Sequence, residues 1–197
     1  VTLVDQPVPE LKVRALGSVF AENAVAAWLG AVAAGADPEV AAEALAEAPP
    51  PPGRFELVNP EPAAGAPRVV VDYAHTPDAL KRTIATTKAL AEREGGRVSV
   101  VFGAGGGRDP QKRPVMGQAA ADADEVWVTT DNPRDEDPAL IAEAVLQGLE
   151  GHRRCRVELE RANAIAAAIR ASGSGDVVLV AGKGHEYRQV VGSETGA

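Results

Sequence analysis

The sequence predicts an α/β fold: a Rossmann-like, mostly parallel sheet with helices on both faces, preceded by a helical segment. Short apolar, β-branched runs recur at residues 68–72, 98–102, 125–130, 156–159 and 176–181. Helical patterns alternate with them over short connections, which calls for parallel strands joined by crossovers. Several of these runs stop abruptly at polar or glycine-rich residues, as a strand buried on both faces does where it meets its C-terminal loop.

Taken in order, residues 1–12 are short and proline-marked, with a strand expected at their start. Residues 18–34 are alanine-rich and helical in pattern, and Gly35 suits the C-terminal cap. Asp37-Pro38-Glu39 restarts a helix that runs to about residue 48, with Asp as N-cap and Pro at the first helical position. Four prolines at 49–52 cannot continue it and form a semi-rigid boundary, dividing residues 1–52 from 53–197. Beyond it come an edge strand at 54–58, a Pro/Gly/Ala loop, the strand at 68–72 and a helix to about 93. The strand at 98–102 leads through a glycine loop to a helix from Asp109-Pro110. The strand at 125–130 leads to a helix from Asp137-Pro138 to 149. Strand 156–159, helix 161–171 and strand 176–181 follow, and 187–191 adds a last strand. Thr76-Pro77, Asp109-Pro110 and Asp137-Pro138 each open a helix just past a strand end. Their unpaired amides should form one anion-friendly rim.

Composition narrows the function. Aromatics are 4% of the 197 residues, so the core must be built from Val, Ala, Leu and Ile. A net charge of −8 argues against a nucleic-acid partner, since affinity for phosphate backbones needs a basic surface. The single cysteine, Cys155, excludes an internal disulfide and a Cys-cluster zinc site and reads as a strand residue. No apolar run is long enough to span a bilayer. The first residue is Val1, so the start reads as a cut end. A cytoplasmic protein is the expectation.

The chemistry lies in the loops after the strands, where open α/β sheets bind ligands. Val126-Trp127-Val128-Thr129-Thr130 runs into Asp131-Asn132-Pro133-Arg134. The planar guanidinium of Arg134 can grip a carboxylate through two parallel hydrogen bonds, and Pro133 stiffens its loop. Gly103-Ala104-Gly105-Gly106-Gly107-Arg108-Asp109 fits neither a dinucleotide fingerprint nor a Walker A loop; its glycines permit close backbone approach and Arg108 adds a positive charge. In Gly182-Lys183-Gly184-His185-Glu186, Glu186 can accept from an amino group, while His185 reads as structural. Asp72 ends its strand as either a ribose ligand or a turn acid.

These stretches resemble a known family. Asp72-Tyr73-Ala74-His75-Thr76-Pro77-Asp78, the GGGRDPQKRP run from Gly105, the DNPRDEDP run from Asp131 and the GKGHE run from Gly182 occur in the order and spacing of the Mur ligases, bacterial peptidoglycan enzymes. Pro52-Gly53-Arg54-Phe55-Glu56 is similar to the family's domain junction. The resemblance covers roughly residue 17 to the end. It implies residues 1–52 as the tail of a central ATPase domain and 53–197 as the C-terminal, amino-acid-binding domain. DNPR marks the branch that adds meso-diaminopimelate. Arg108, Asp131, Asn132, Pro133, Arg134, Gly182 and Glu186 then match positions around that amino acid, and Asn23, Arg54, Asp72 and Lys112 match positions on the nucleotide. Gly17-Ser18-Val19-Phe20-Ala21-Glu22-Asn23 keeps only the ends of the family pattern Gly-x-Phe-Asn-x-x-Asn.

The resemblance further implies an ATP-dependent acid–amino-acid ligase. ATP activates a carboxylate of UDP-N-acetylmuramoyl-L-alanyl-D-glutamate as an acyl phosphate, and the diaminopimelate amine attacks it. The P-loop, the Mg2+ ligands and the catalytic residues belong to the family's upstream part, so this segment is expected to be inactive alone. A monomer with no metal ligands of its own is expected. The alternatives are another Mur or folylpolyglutamate-type ligase, or a non-catalytic small-molecule-binding α/β domain.

Overall fold

The computed structural model describes residues 9–192 and 194–196. The strand expected at the start of the chain lies outside them. The described chain forms two compact units that part at Pro51/Pro52, within the proline run.

The first unit is a helix pair, α1 (Ser18–Ala33) and α2 (Pro38–Glu47). Trp28, Val32, Ala41 and Ala42 form its small core, and the Trp28 indole N–H donates to the Pro38 carbonyl at 2.9 Å. Asp37 caps α2 by accepting from the Glu39 and Val40 amides.

The second unit carries a six-stranded sheet in the order β1 (Glu56–Leu57), β2 (Arg68–Asp72), β6 (Val177–Ala181), β3 (Val98–Phe102), β4 (Glu125–Val128), β5 (Cys155–Val157). β1 is an antiparallel edge; the other neighbours are all parallel. From β2 to β5 the chain moves one way across the sheet, through α3 (Pro77–Glu92), α4 (Lys112–Ala120) and α5 (Pro138–Leu146). It then returns to β6 through α6 (Arg161–Ala171). Right-handed crossovers put the outward helices on one face and the returning helix on the other. Accordingly α4 packs between α3 and α5, while α6 buries Ala164 and Ala168 against Val101, Trp127, Val178 and Val180. Successive strand residues alternate between these faces, so β3 and β6 are buried along their whole length.

Two expected elements differ. α4 starts at Lys112 instead of the Asp109-Pro110 pair, because Asp109 accepts from the Gln111 amide at 2.9 Å in a local turn first. The terminal strand β7 (Gln189–Val191) pairs with β8 (Glu194–Gly196) in a separate two-stranded sheet and is bridged to the loop after β4 at Val191 and Arg134.

Candidate functional site

The C-terminal ends of β2, β3, β4 and β6 open into one cleft of about 520 Å³. Tyr73 and His75 line it after β2, Gly105 and Arg108 after β3, Asp131, Asn132 and Arg134 after β4, and Gly182 and Glu186 after β6; Lys112, Arg113 and Met116 of α4 form a further wall. Four loops distant in sequence meet there because parallel strands all end on the same edge.

The glycine loop and the loop after β4 are locked together. The Gly106 amide donates to the Asn132 carbonyl at 2.9 Å. A Cβ on Gly106 would lie 1.9 Å from the Pro133 carbonyl oxygen, so only glycine allows this approach. Arg113, whose side chain is 7% exposed, donates from one Nη to both Glu136 oxygens at 2.8 Å, and the Gly107 amide donates to the same carboxylate at 2.6 Å. The Gly107 amide first, then Arg113, holds the Glu136 carboxyl below its ordinary titration range.

Arg134 sits at φ 54°, in the left-handed region that costs a side-chain-bearing residue steric strain. Backbone bonds hold it there: its amide donates to the Val190 carbonyl at 3.1 Å, and the Gly192 amide donates to its carbonyl at 2.7 Å. Its Nη1 is braced by the Gly106 and Asn132 carbonyls. Arg134 is therefore half-buried and clamped on both sides.

Beneath the rim lies Lys183. Its side chain is 11% exposed; the ammonium donates to Asn132 Oδ1 at 3.0 Å and to the Arg188 carbonyl at 2.9 Å, and lies 3.5 Å from Asp131 and 3.8 Å from Glu186. The Tyr73 hydroxyl donates to Glu186 at 3.2 Å. The negative charge of that carboxylate, and then the hydrogen bond it accepts from the hydroxyl, raise the Tyr73 pKa above its usual value. Arg161, at the start of α6, donates to the Ala181 carbonyl at 2.8 Å; burial pulls its pKa down, and Asp131 counteracts this.

Seven of the residues anticipated from sequence thus share one cleft: Arg108, Lys112, Asp131, Asn132, Arg134, Gly182 and Glu186. Pro133 is buried behind it and acts through its carbonyl contact with Gly106. Arg54 is exposed, its guanidinium 4.3 Å from the centre of the Tyr73 ring. Asn23 lies exposed on α1 of the first unit. Asp72 takes the turn-acid arrangement: it is 8% exposed, one oxygen accepts from the Phe55 amide at 2.8 Å, and the other accepts from the Ala74 amide and the Thr83 hydroxyl. Its carboxylate fastens β1 and α3 to the end of β2 and so stands behind Arg54. Sequence reasoning missed Lys183, Tyr73 and the Arg113–Glu136 clamp. Lys183 and Tyr73 stand inside stretches that had been singled out, but their partners are 51 and 113 residues away.

The model of the Mur ligase, glutamate ligase domain, matches residues 53–184. The UDP-N-acetylmuramoyl-L-alanyl-D-glutamate–2,6-diaminopimelate ligase of Acidovorax sp. (strain JS42) is 46% identical over 184 residues, 92% of this chain and 36% of that protein. A solved structure of a ligase of that name has a TM-score of 0.65 at 38% identity, covering 92% of this chain and 36% of the other. A bifunctional folylpolyglutamate synthase/dihydrofolate synthase from Yersinia pestis, solved with AMPPNP and a manganese ion, shares the fold with a TM-score of 0.65 at 21% identity, covering 93% and 40%. The chain spans about a third of the length of the curated relatives it matches.

Proposed function

The chain belongs to the Mur ligase family, and from that premise we propose that its cleft receives meso-diaminopimelate for an ATP-dependent, amide-bond-forming ligase of peptidoglycan synthesis. One observation carries the reading: Arg108 and Arg134 line a single volume together with Asp131 and Glu186. A diamino dicarboxylic acid has two charges of each sign and complements that mixture. L-lysine lacks the second carboxylate. The diaminopimelate ligases, at 42–48% identity, support this amino acid over the folylpolyglutamate alternative at 21%.

In this reading Arg134 and Arg108 hold carboxylates, while Asp131 and Glu186 receive ammonium groups. The chain orients the reacting amine, which adds to an activated carbonyl of UDP-N-acetylmuramoyl-L-alanyl-D-glutamate; the tetrahedral intermediate then collapses to the amide with loss of phosphate. Holding the amine in line removes much of the entropic barrier. ATP, when bound, supplies the activating phosphoryl group. Arg54 over the Tyr73 ring, and Lys112 on the wall of the cleft that Tyr73 also lines, suit a nucleotide by offering an aromatic ring and two cations. Asp72 would serve that side by fixing the backbone next to Arg54. Among the described residues no group of three or more His, Cys, Asp or Glu could hold a metal ion.

Residues 1–52 would be the end of the ATPase domain and 53–197 the amino-acid-binding domain of a monomeric cytoplasmic enzyme, inactive without the rest. No helix among the described residues is long and apolar enough to cross a membrane. Calorimetric titration of the chain with meso-diaminopimelate and with L-lysine tests the proposal. Tighter binding of meso-diaminopimelate supports it; equal or absent binding of both removes the substrate assignment.

A further inference from the structure

We infer that Lys183 is a positioning residue that fixes the polarity of the Asn132 side-chain amide, so that its two N–H groups face the cleft beside Arg134. The inference rests on the reading of the cleft given above. Two groups converge on one oxygen: the Lys183 ammonium at 3.0 Å and the Val190 amide at 2.9 Å both meet Asn132 Oδ1. Both are donors only, so the atom they meet must be the oxygen; a flipped amide would set N–H against N–H. Nδ2 then holds the other position, and among the described residues no protein group accepts from it. The cleft thereby gains two donors next to the Arg134 guanidinium, a face suited to a carboxylate and unfavourable to an ammonium group.

Lys183 also explains how two like charges share one rim. Its ammonium lies between Asp131 and Glu186, at 3.5 and 3.8 Å, and keeps two carboxylates compatible on one rim. Its bond to the Arg188 carbonyl and the Val190 amide bond to Asn132 tie the approach to β7 to the same point. The lysine is withdrawn below the rim, so its effect on substrate passes through Asn132.

A double-mutant cycle tests this, with meso-diaminopimelate affinity of the whole chain as readout. Lys183→Gln keeps a hydrogen-bond donor without the charge, so the fold is less burdened than by an apolar replacement. It should weaken binding about tenfold in the native background and less than about threefold when Asn132 is already alanine. The same loss in both backgrounds overturns the inference. A measurement on the unliganded chain separates it from the substrate assignment: nuclear Overhauser spectra should show no strong contact between an Asn132 Nδ2 proton and the Val190 amide proton. A strong contact means the amide is flipped and the inference is wrong, whatever the chain binds. If the native chain binds no meso-diaminopimelate, the substrate assignment falls and the Overhauser result alone decides the orientation.

Discussion

Replacing Arg134 separates its two properties, the ligand-facing fork and the strained backbone. The guanidinium has Nη1 braced by two carbonyls and its other nitrogens without partners among the described residues. A charge-assisted contact from them to the distal carboxylate of meso-diaminopimelate should contribute about 1.5–3 kcal/mol, or roughly one to two decades of preference over L-lysine. Arg134→Ala and Arg134→Gly both remove that contact and both should abolish the preference. They differ only at the backbone. Alanine keeps the Cβ that makes φ 54° costly, whereas glycine relieves it. The left-handed conformation costs about 1–2 kcal/mol, partly offset by the greater unfolded-state freedom of glycine, for a net gain of about 1 kcal/mol. In a domain of this size that raises the melting temperature by roughly 2–4 °C over the alanine variant. Arg134→Lys keeps the charge without the fork and should lose most of the preference. Paired calorimetric titrations and thermal melts give both quantities. A preference that survives in folded Arg134→Ala, or a glycine variant no more stable than alanine, would refute the reasoning.

Two further predictions concern titration. Glu136 has its folded pKa below the ordinary value of 4.5, through the Gly107 amide and then Arg113. Its contribution to stability is therefore complete above about pH 4.5 and is lost as pH falls through the lower folded value. Acid melts should show this dependence, and Glu136→Gln should flatten it; an unchanged profile would count against the clamp. Tyr73 is held above pH 10.0 chiefly by Glu186. Absorbance titration of the chain's two tyrosines should show one ionising late, and Glu186→Gln should bring it back toward the other.

Much of this organisation was legible in the residues themselves. Apolar runs such as Val98–Phe102 and Val177–Ala181 announce strands covered on both faces, and the Thr76-Pro77 and Asp137-Pro138 pairs announce helix starts that the structure caps at those residues. The Asp109-Pro110 pair misled because an aspartate can close a local turn as readily as cap a helix, and the intended helix then begins later. Left-handed geometry at Arg134 has no local signal, since arginine is not a residue type that favours it; β7 imposes it from more than fifty residues away. Asp72 offered two readings, and the sequence cannot place the Phe55 amide that donates to one of its oxygens. Lys183 is similarly silent. A lysine in a glycine loop suggests a phosphate contact, and its bond to Asn132 exists only once β4 and β6 end at the same edge.

The central claim is that the cleft at the ends of β2, β3, β4 and β6 holds meso-diaminopimelate. Amide chemical-shift mapping of the isotopically labelled chain during a titration with that compound tests it most directly. The largest shifts should fall on Gly105, Arg108, Asn132, Arg134, Gly182 and Glu186, with L-lysine producing smaller changes at Arg134. Shifts confined to the α6 face of the sheet, or a spectrum unmoved by meso-diaminopimelate, would contradict the assignment.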